Sequence, residues 1–232
     1  RSTVLQLLNI LDAWTASLDN GGNIDAIYTD FEKAFDKVPH KRLLSKLQAY
    51  GVTDEIVAWI QDFLCNHNQR VRVNGKFSAW HKVLSGIPQG SVLGPLLFII
   101  YINDLVELCE KNANIFLFAD DAKLFKSITC PADQVALQQS CNALSSWSNQ
   151  WLLPLNITKC VLLRIGKPNN YPNKNDYYLT LRNITSKLSV VTSVKDFGVI
   201  IDDRLNFNEH IHTKFKKAYS VFGIIKKKIK HM

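Results

Sequence analysis

Asp120 and Asp121 stand side by side between two apolar runs, Asn114–Phe118 before them and residues 122–125 after. Successive side chains on a strand point to opposite faces, so two neighbouring carboxylates reach one point only where a strand stops and turns. The stretch therefore reads as strand, tight turn, strand, with two like charges at the tip. Such charges repel unless a cation neutralises them. Hard divalent ions such as Mg²⁺ take one or two carboxylates together with substrate phosphates. Taken alone, a solvated turn explains the pair as well.

The rest of the chain limits what can surround that turn. Residues 3–18 read as a helix closed by Asn20-Gly21-Gly22, and residues 24–30 as a short strand. Residues 40–50 carry Leu43, Leu44 and Leu47 at helical spacing, with Gly51 as the C-cap. Thr53 is expected to cap a further helix striped by Ile56, Val57, Ile60, Phe63 and Leu64. Residues 70–80 alternate about Asn74-Gly75, a strong hairpin signal. A loop with Gly and Pro, residues 85–91, leads through Pro95 into an apolar helix over 96–108. Residues 133–151 place Leu137, Cys141, Leu144, Trp147 and Trp151 on one helical face. Strands are expected at 159–165, 177–182 and 190–202, a loop at 166–176, and a last helix beyond Asn206. Helices and strands mix without strict alternation, which predicts an α+β fold with helices packed on an antiparallel sheet.

With 232 residues, 47% of them hydrophobic, the chain can bury a sizeable core. One large domain over 1–205 and a basic helical appendage over 206–232 are expected. No apolar run approaches the roughly 18 residues needed to span a bilayer, so no membrane role is expected. Five cysteines without CxxC spacing suggest reduced thiols in an intracellular protein, cytoplasmic or nuclear, rather than a secreted one. The net charge is +8, and the last 26 residues hold seven lysines against one acid, Glu209. That excess suits a polyanionic partner such as nucleic acid, or equally a solvated lysine face. His210 and His212 stand two apart on a helix and point to different faces, so they do not suggest a metal site.

A third carboxylate, Asp30, ends the apolar stretch Ala26-Ile27-Tyr28. As an isolated residue it could be a helix N-cap. If it meets the Asp120–Asp121 turn at adjacent strand ends, the three could hold two Mg²⁺ ions roughly 3.5–4 Å apart, as in two-metal phosphoryl transfer.

Residues 30–36 with Val38-Pro39-His40, then residues 85–98, then Phe118-Ala119-Asp120-Asp121, resemble in order and spacing the motifs of reverse transcriptases. The chain most resembles the polymerases of non-LTR, LINE-like retrotransposons in the jockey-like branch. Two weaker motifs follow in place, at residues 156–159 and 194–199. The resemblance implies a right-hand polymerase palm with partial fingers and the start of a thumb. It implies DNA synthesis on an RNA template from a DNA primer with dNTPs, using two Mg²⁺ ions for which Mn²⁺ can substitute. Asp30, Asp120 and Asp121 would hold the metals, and Lys159 would protonate the leaving pyrophosphate. Phe31, Phe35, Gln89 and Gly90 would face the nucleotide, with Phe35 as a steric gate against a 2′-hydroxyl. Phe197 and Gly198 would belong to the primer-grip strand. The family's N-terminal fingers and most of its thumb would lie outside these residues; the only methionine is Met232. A catalytically silent remnant that binds nucleic acid is the alternative. An RNA-dependent RNA polymerase shares the paired aspartates, but Phe35 opposes it.

Overall fold

The computed structural model describes residues 2–65, 67–167 and 175–229. Along the chain come α1 (Thr3–Asp19), β1 (Asn23–Asp30), α2 (Ala34–Lys37), α3 (His40–Ala49) and α4 (Asp54–Leu64). Four two-residue strands follow, β2 (Asn68–Gln69), β3 (Arg72–Val73), β4 (Lys76–Phe77) and β5 (His81–Lys82). Then come α5 (Leu93–Ile102), α6 (Asp104–Cys109), β6 (Asn114–Phe118), β7 (Asp121–Ile128), α7 (Pro131–Trp151) and β8 (Val161–Ile165). The last elements are β9 (Tyr178–Leu181), β10 (Ile184–Lys187), β11 (Ser189–Val191), β12 (Ser193–Asp196), β13 (Val199–Asp202) and α8 (Asn208–Ile229).

Five strands form the central sheet in the order β11-β8-β1-β7-β6. It is not antiparallel throughout, because β11 runs parallel to β8. Central β1 is covered on both faces, and its parity sorts them. Ile27 joins α3 to α7 in the larger core, while Ile24 and Ala26 meet Leu7, Ile10 and Trp14 of α1 in the smaller one. On the α7 face, the buried Asp25 accepts a 2.6 Å hydrogen bond from the Tyr177 hydroxyl.

Several expected boundaries move, each for a visible reason. The helix expected over 96–108 breaks at Asn103 into α5 and α6. Beside the break, the buried Lys46 ammonium takes the Tyr101 carbonyl and the Asp104 carboxylate. It also lies 3.8 Å from the centre of the Trp151 ring. The helix expected from Asp133 starts at Pro131, with Asp133 accepting from the Thr129 and Cys130 amides. Thr53 stands at the start of α4 but makes no side-chain cap, and Ile56 of the expected stripe is 51% exposed. The strand expected over 190–202 is instead β11 followed by the β12–β13 hairpin. Strand β10, absent from the sequence reading, pairs with β9. Part of the loop expected over 166–176 lies outside the described residues.

The five cysteines are unpaired. Among the described residues no helix is long and apolar enough to cross a membrane. Helix α8 is joined at its start to the β12–β13 hairpin, where the Ile200 amide donates to His210 Nδ1 at 3.1 Å.

Candidate active site

Strand register brings the first two carboxylates together. Asp30, the last residue of β1, lies directly opposite Asp121, the first residue of β7. Residues directly opposed across an antiparallel pair share a face, so both project on the face that carries α1. Asp120 occupies the two-residue β6–β7 turn beside Ala119, whose φ of 50° is one that β-carbon-bearing residues rarely adopt. The expected convergence of Asp30 with the Asp-Asp turn is thus present in the backbone.

Loss of solvent pushes the Asp121 carboxyl above its ordinary range, and the charges of Asp120, Asp196 and Asp30 push it the same way, against Lys123. Asp30 Oδ2 is buried and pairs with Lys159 Nζ at 3.2 Å. Lys159 closes a helical turn, Ile157–Lys159, that is tied to the end of β1 by the Asn156 amide donating to the Asp30 carbonyl at 2.7 Å. Among the described residues no three His, Cys, Asp or Glu side chains are gathered closely enough to form a ready metal cage. The donor chemistry still fits a hard cation: carboxylate oxygens only, with like charges that raise the cost of ionisation.

The expected nucleotide residues divide. Phe35 stacks on Phe98 with centroids 4.5 Å apart, and both rings line a cavity of about 1040 Å³ that also reaches Phe118 and Ala119 of the aspartate turn. Phe31 does not face such a site. Its parity is opposite to that of Asp30, and its ring is buried edge-on to Trp147 at 3% exposure. The expectation for that ring is corrected to a core role.

Gln89 and Gly90 are exposed on a loop fastened to the segment after Asp30. The Gly86 amide donates to the Val38 carbonyl and the Ile87 amide to that of Phe35. His40 Nε2 lies 2.7 Å from the Gly86 carbonyl, and Gln89 Nε2 donates to Asp36 Oδ1 at 3.0 Å. A β-carbon on Gly86 would meet the Asp36 carbonyl oxygen at 2.7 Å, and its φ of +94° already excludes ordinary residues. Gly86→Ala is expected to destabilise the fold by more than about 2 kcal/mol. Thermal unfolding checks it; an unchanged midpoint would show that the loop is free of Asp36.

Phe197 and Gly198 form the turn of the β12–β13 hairpin, not a strand, with φ values of 46° and 84°. Two consecutive left-handed residues reverse the chain there. The Phe197 ring packs against Phe118, centroids 4.8 Å apart, so this turn sits against the aspartate turn. Behind it, Lys123 Nζ lies 2.5 Å from Asp196 Oδ2 and 4.0 Å from the Phe197 ring centre. Both partners are almost fully buried. The sequence reading passed over this pair, as it did Asp36 and His40 as tethers. A lysine two residues beyond Asp121, and so of the same parity, was the available signal.

Comparisons with known proteins follow this geometry. Residues 8–201 match the family described as reverse transcriptase (RNA-dependent DNA polymerase). The chain is 28% identical over 235 residues to the probable RNA-directed DNA polymerase from transposon BS of Drosophila melanogaster, covering 94% of the chain and 24% of that protein. It is 27% identical to the RNA-directed DNA polymerase from mobile element jockey of the same species, covering 92% and 23%. The chain thus spans about a quarter of the length of these relatives. Among solved structures it resembles telomerase from Candida tropicalis, truncated from its C-terminal domain, with a TM-score of 0.58 at 12% identity over 88% of the chain and 39% of that one. Telomerase from Candida albicans gives 0.58 at 13%, over 84% and 32%. That likeness shows the fold alone.

Proposed function

Because the chain belongs to the reverse transcriptase family, we propose that it is the palm of an RNA-directed DNA polymerase of a non-LTR retrotransposon, adding dNTPs to a primer 3′-hydroxyl on an RNA template. The observation that carries this reading is the placement of Asp30 opposite Asp121 on adjacent strands, with Asp120 in the turn between β6 and β7.

Asp30, Asp120 and Asp121 would hold divalent ions, Mg²⁺ or Mn²⁺. Bound there, the metal would lower the pKa of the primer hydroxyl and neutralise the charge on the leaving pyrophosphate. The protein's own side chains do the rest. Lys159 stands beside Asp30 with its side chain 65% exposed, within reach of solvent and of a leaving group to protonate. The Phe35 ring, braced by Phe98, closes the space a 2′-hydroxyl would need. Gln89, held by Asp36, and Gly90 lie against the incoming nucleotide. The Phe197–Gly198 turn supports the primer end, and α8 begins the thumb, with residues 1–205 forming the palm and partial fingers.

The test is extension of an oligo-dT primer on a poly-A template by this chain with Mg²⁺, with a chelator arm and an Asp120→Ala arm. Extension abolished in both arms is expected. Equal extension without Asp120 overturns the reading; because the chain spans about a quarter of its relatives' length, the same arms are run in the longer polymerase, where no extension leaves the silent remnant. In the same assay Phe35→Ala is expected to raise ribonucleotide incorporation about tenfold or more, one lost steric discrimination being worth about 1–3 kcal/mol. An unchanged deoxy-to-ribo ratio removes Phe35 from the mechanism and reopens the RNA polymerase alternative.

A further inference from the structure

Between α4 and the Gly86 loop the chain leaves the body as a narrow double ribbon. Strand β2 pairs with β5, and beyond them β3 pairs with β4 about the Asn74-Gly75 turn. Every residue from 67 to 82 is exposed. A two-stranded ribbon is marginal in water by itself, and this one buries nothing. Instead it displays Val71, Val73, Phe77 and Trp80 at 50–64% exposure.

Its charge is as one-sided as its exposure is complete. From residue 63 to residue 103 there is no aspartate or glutamate, while the ribbon carries Arg70, Arg72, Lys76 and Lys82. The arginines lie over the rings: Arg70 is 3.8 Å from the centre of Phe77 and 4.4 Å from that of Trp80, and Arg72 is 5.3 Å from Phe77. Both guanidinium groups thus lie close to exposed rings. At the ribbon's foot is a cleft of about 580 Å³ lined by Lys41, Arg42, His67 and Lys82. The chain then passes directly to Ser85, whose hydroxyl donates to the Asp36 carbonyl.

We propose that this ribbon is a binding surface for an unpaired template strand, which it leads towards the Gly86–Gly90 loop. Charge complementarity selects a polyanion. Flat aromatic and guanidinium faces select one whose bases are free to stack, which a paired duplex does not offer except at its ends. The cleft at the foot takes a backbone phosphate. The structural role of the arginine–ring stacks is real but small at exposed sites. It leaves unexplained why four aliphatic or aromatic side chains face water with no acid near them. The inference rests on the reading that the chain copies an RNA template.

Binding without catalysis separates the two. Fluorescence anisotropy would follow a labelled single-stranded RNA of about 20 nucleotides on the whole chain, without metal or dNTP, and a blunt duplex of the same length. Phe77→Ala/Trp80→Ala, at exposed positions, is expected to weaken single-strand binding about 10- to 100-fold, with little change for the duplex. Arg70→Gln/Arg72→Gln is expected to lower the steepness of log affinity against log salt by about 1.4, two phosphates' worth for a single strand. Single-strand affinity unchanged by the ring variant, with circular dichroism unaltered, overturns the proposal. So does equal weakening on the duplex. Because the binding measurement uses neither metal nor dNTP, loss of extension by itself leaves this inference standing.

Discussion

Asp121→Asn is expected to reduce primer extension by at least about a thousandfold while making the metal-free fold slightly more stable. The first effect removes a charge that would otherwise anchor a cation. Three decades correspond to about 4 kcal/mol of transition-state stabilisation, which electrostatic catalysis by a metal can supply. The second effect follows from the raised carboxyl of Asp121, faced by Asp120, Asp30, Asp196 and Lys123. A carboxyl whose pKa is raised by folding favours the native state while protonated, and that advantage disappears as pH rises through the raised value. Substitution by the neutral amide should therefore leave stability little changed below the ordinary carboxylate range and increase it at neutral pH. Thermal unfolding followed from acid to neutral pH would read the difference. Mg²⁺ should stabilise the unmodified chain and not the variant. If the Asp121→Asn variant extends primers normally, or is less stable at neutral pH, the metal-binding assignment of this residue fails.

The Lys123–Asp196 pair should give the largest stability effect. Each partner has its charge neutralised in a nearly dry setting by the other. Burial pushes the Lys123 ammonium below its usual range, opposed by Asp196. Removing one partner strands a buried charge, which costs about 3–5 kcal/mol. Lys123→Met alone and Asp196→Leu alone should each lower the unfolding midpoint by about 10 °C for a chain of this size. The double variant Lys123→Met/Asp196→Leu should recover most of that loss, because two apolar side chains replace two ions. Strictly additive losses in the double variant would mean that the two side chains act separately. Extension by the recovered double variant then isolates the pair's second role. The hairpin it fastens carries Phe197, which touches Phe118 next to the aspartate turn. A stable double variant with a raised KM for primer and an unchanged KM for dNTP is expected.

Much of this was legible before any coordinates. The turn at Asp120–Asp121 and the Asn74-Gly75 hairpin were readable because turn chemistry is local, and a few side chains decide it. Helix faces such as Leu137, Cys141, Leu144 and Trp147 were readable because period and burial agree. What stayed hidden depends on partners distant in sequence. The break at Asn103 needs Lys46, which lies 58 positions before Asp104. The true position of Phe31 needs the parity of β1 relative to α7. Strand β10 is a short polar segment that exists only because β9 lies beside it. The hairpin at Phe197–Gly198 was read as continuous strand because no period-based signal records two left-handed residues in succession. The opposition of Asp30 to Asp121, far apart in the chain, is a fact of register that motif order suggests and only pairing specifies.

The exposed ribbon has a further consequence when seen as a joint and not a surface. Its base is closed by the Val83 amide on the His67 carbonyl, and just beyond it Gly86 is seated against Asp36 with no room for a β-carbon. Both ends of the excursion are thus clamped to the body independently of what lies between. Length and sequence within it can drift without moving Gln89, Asp36 or the aspartate turn, since exposed loop tips whose ends are held tolerate insertion. The fold therefore keeps a replaceable arm between two fixed points.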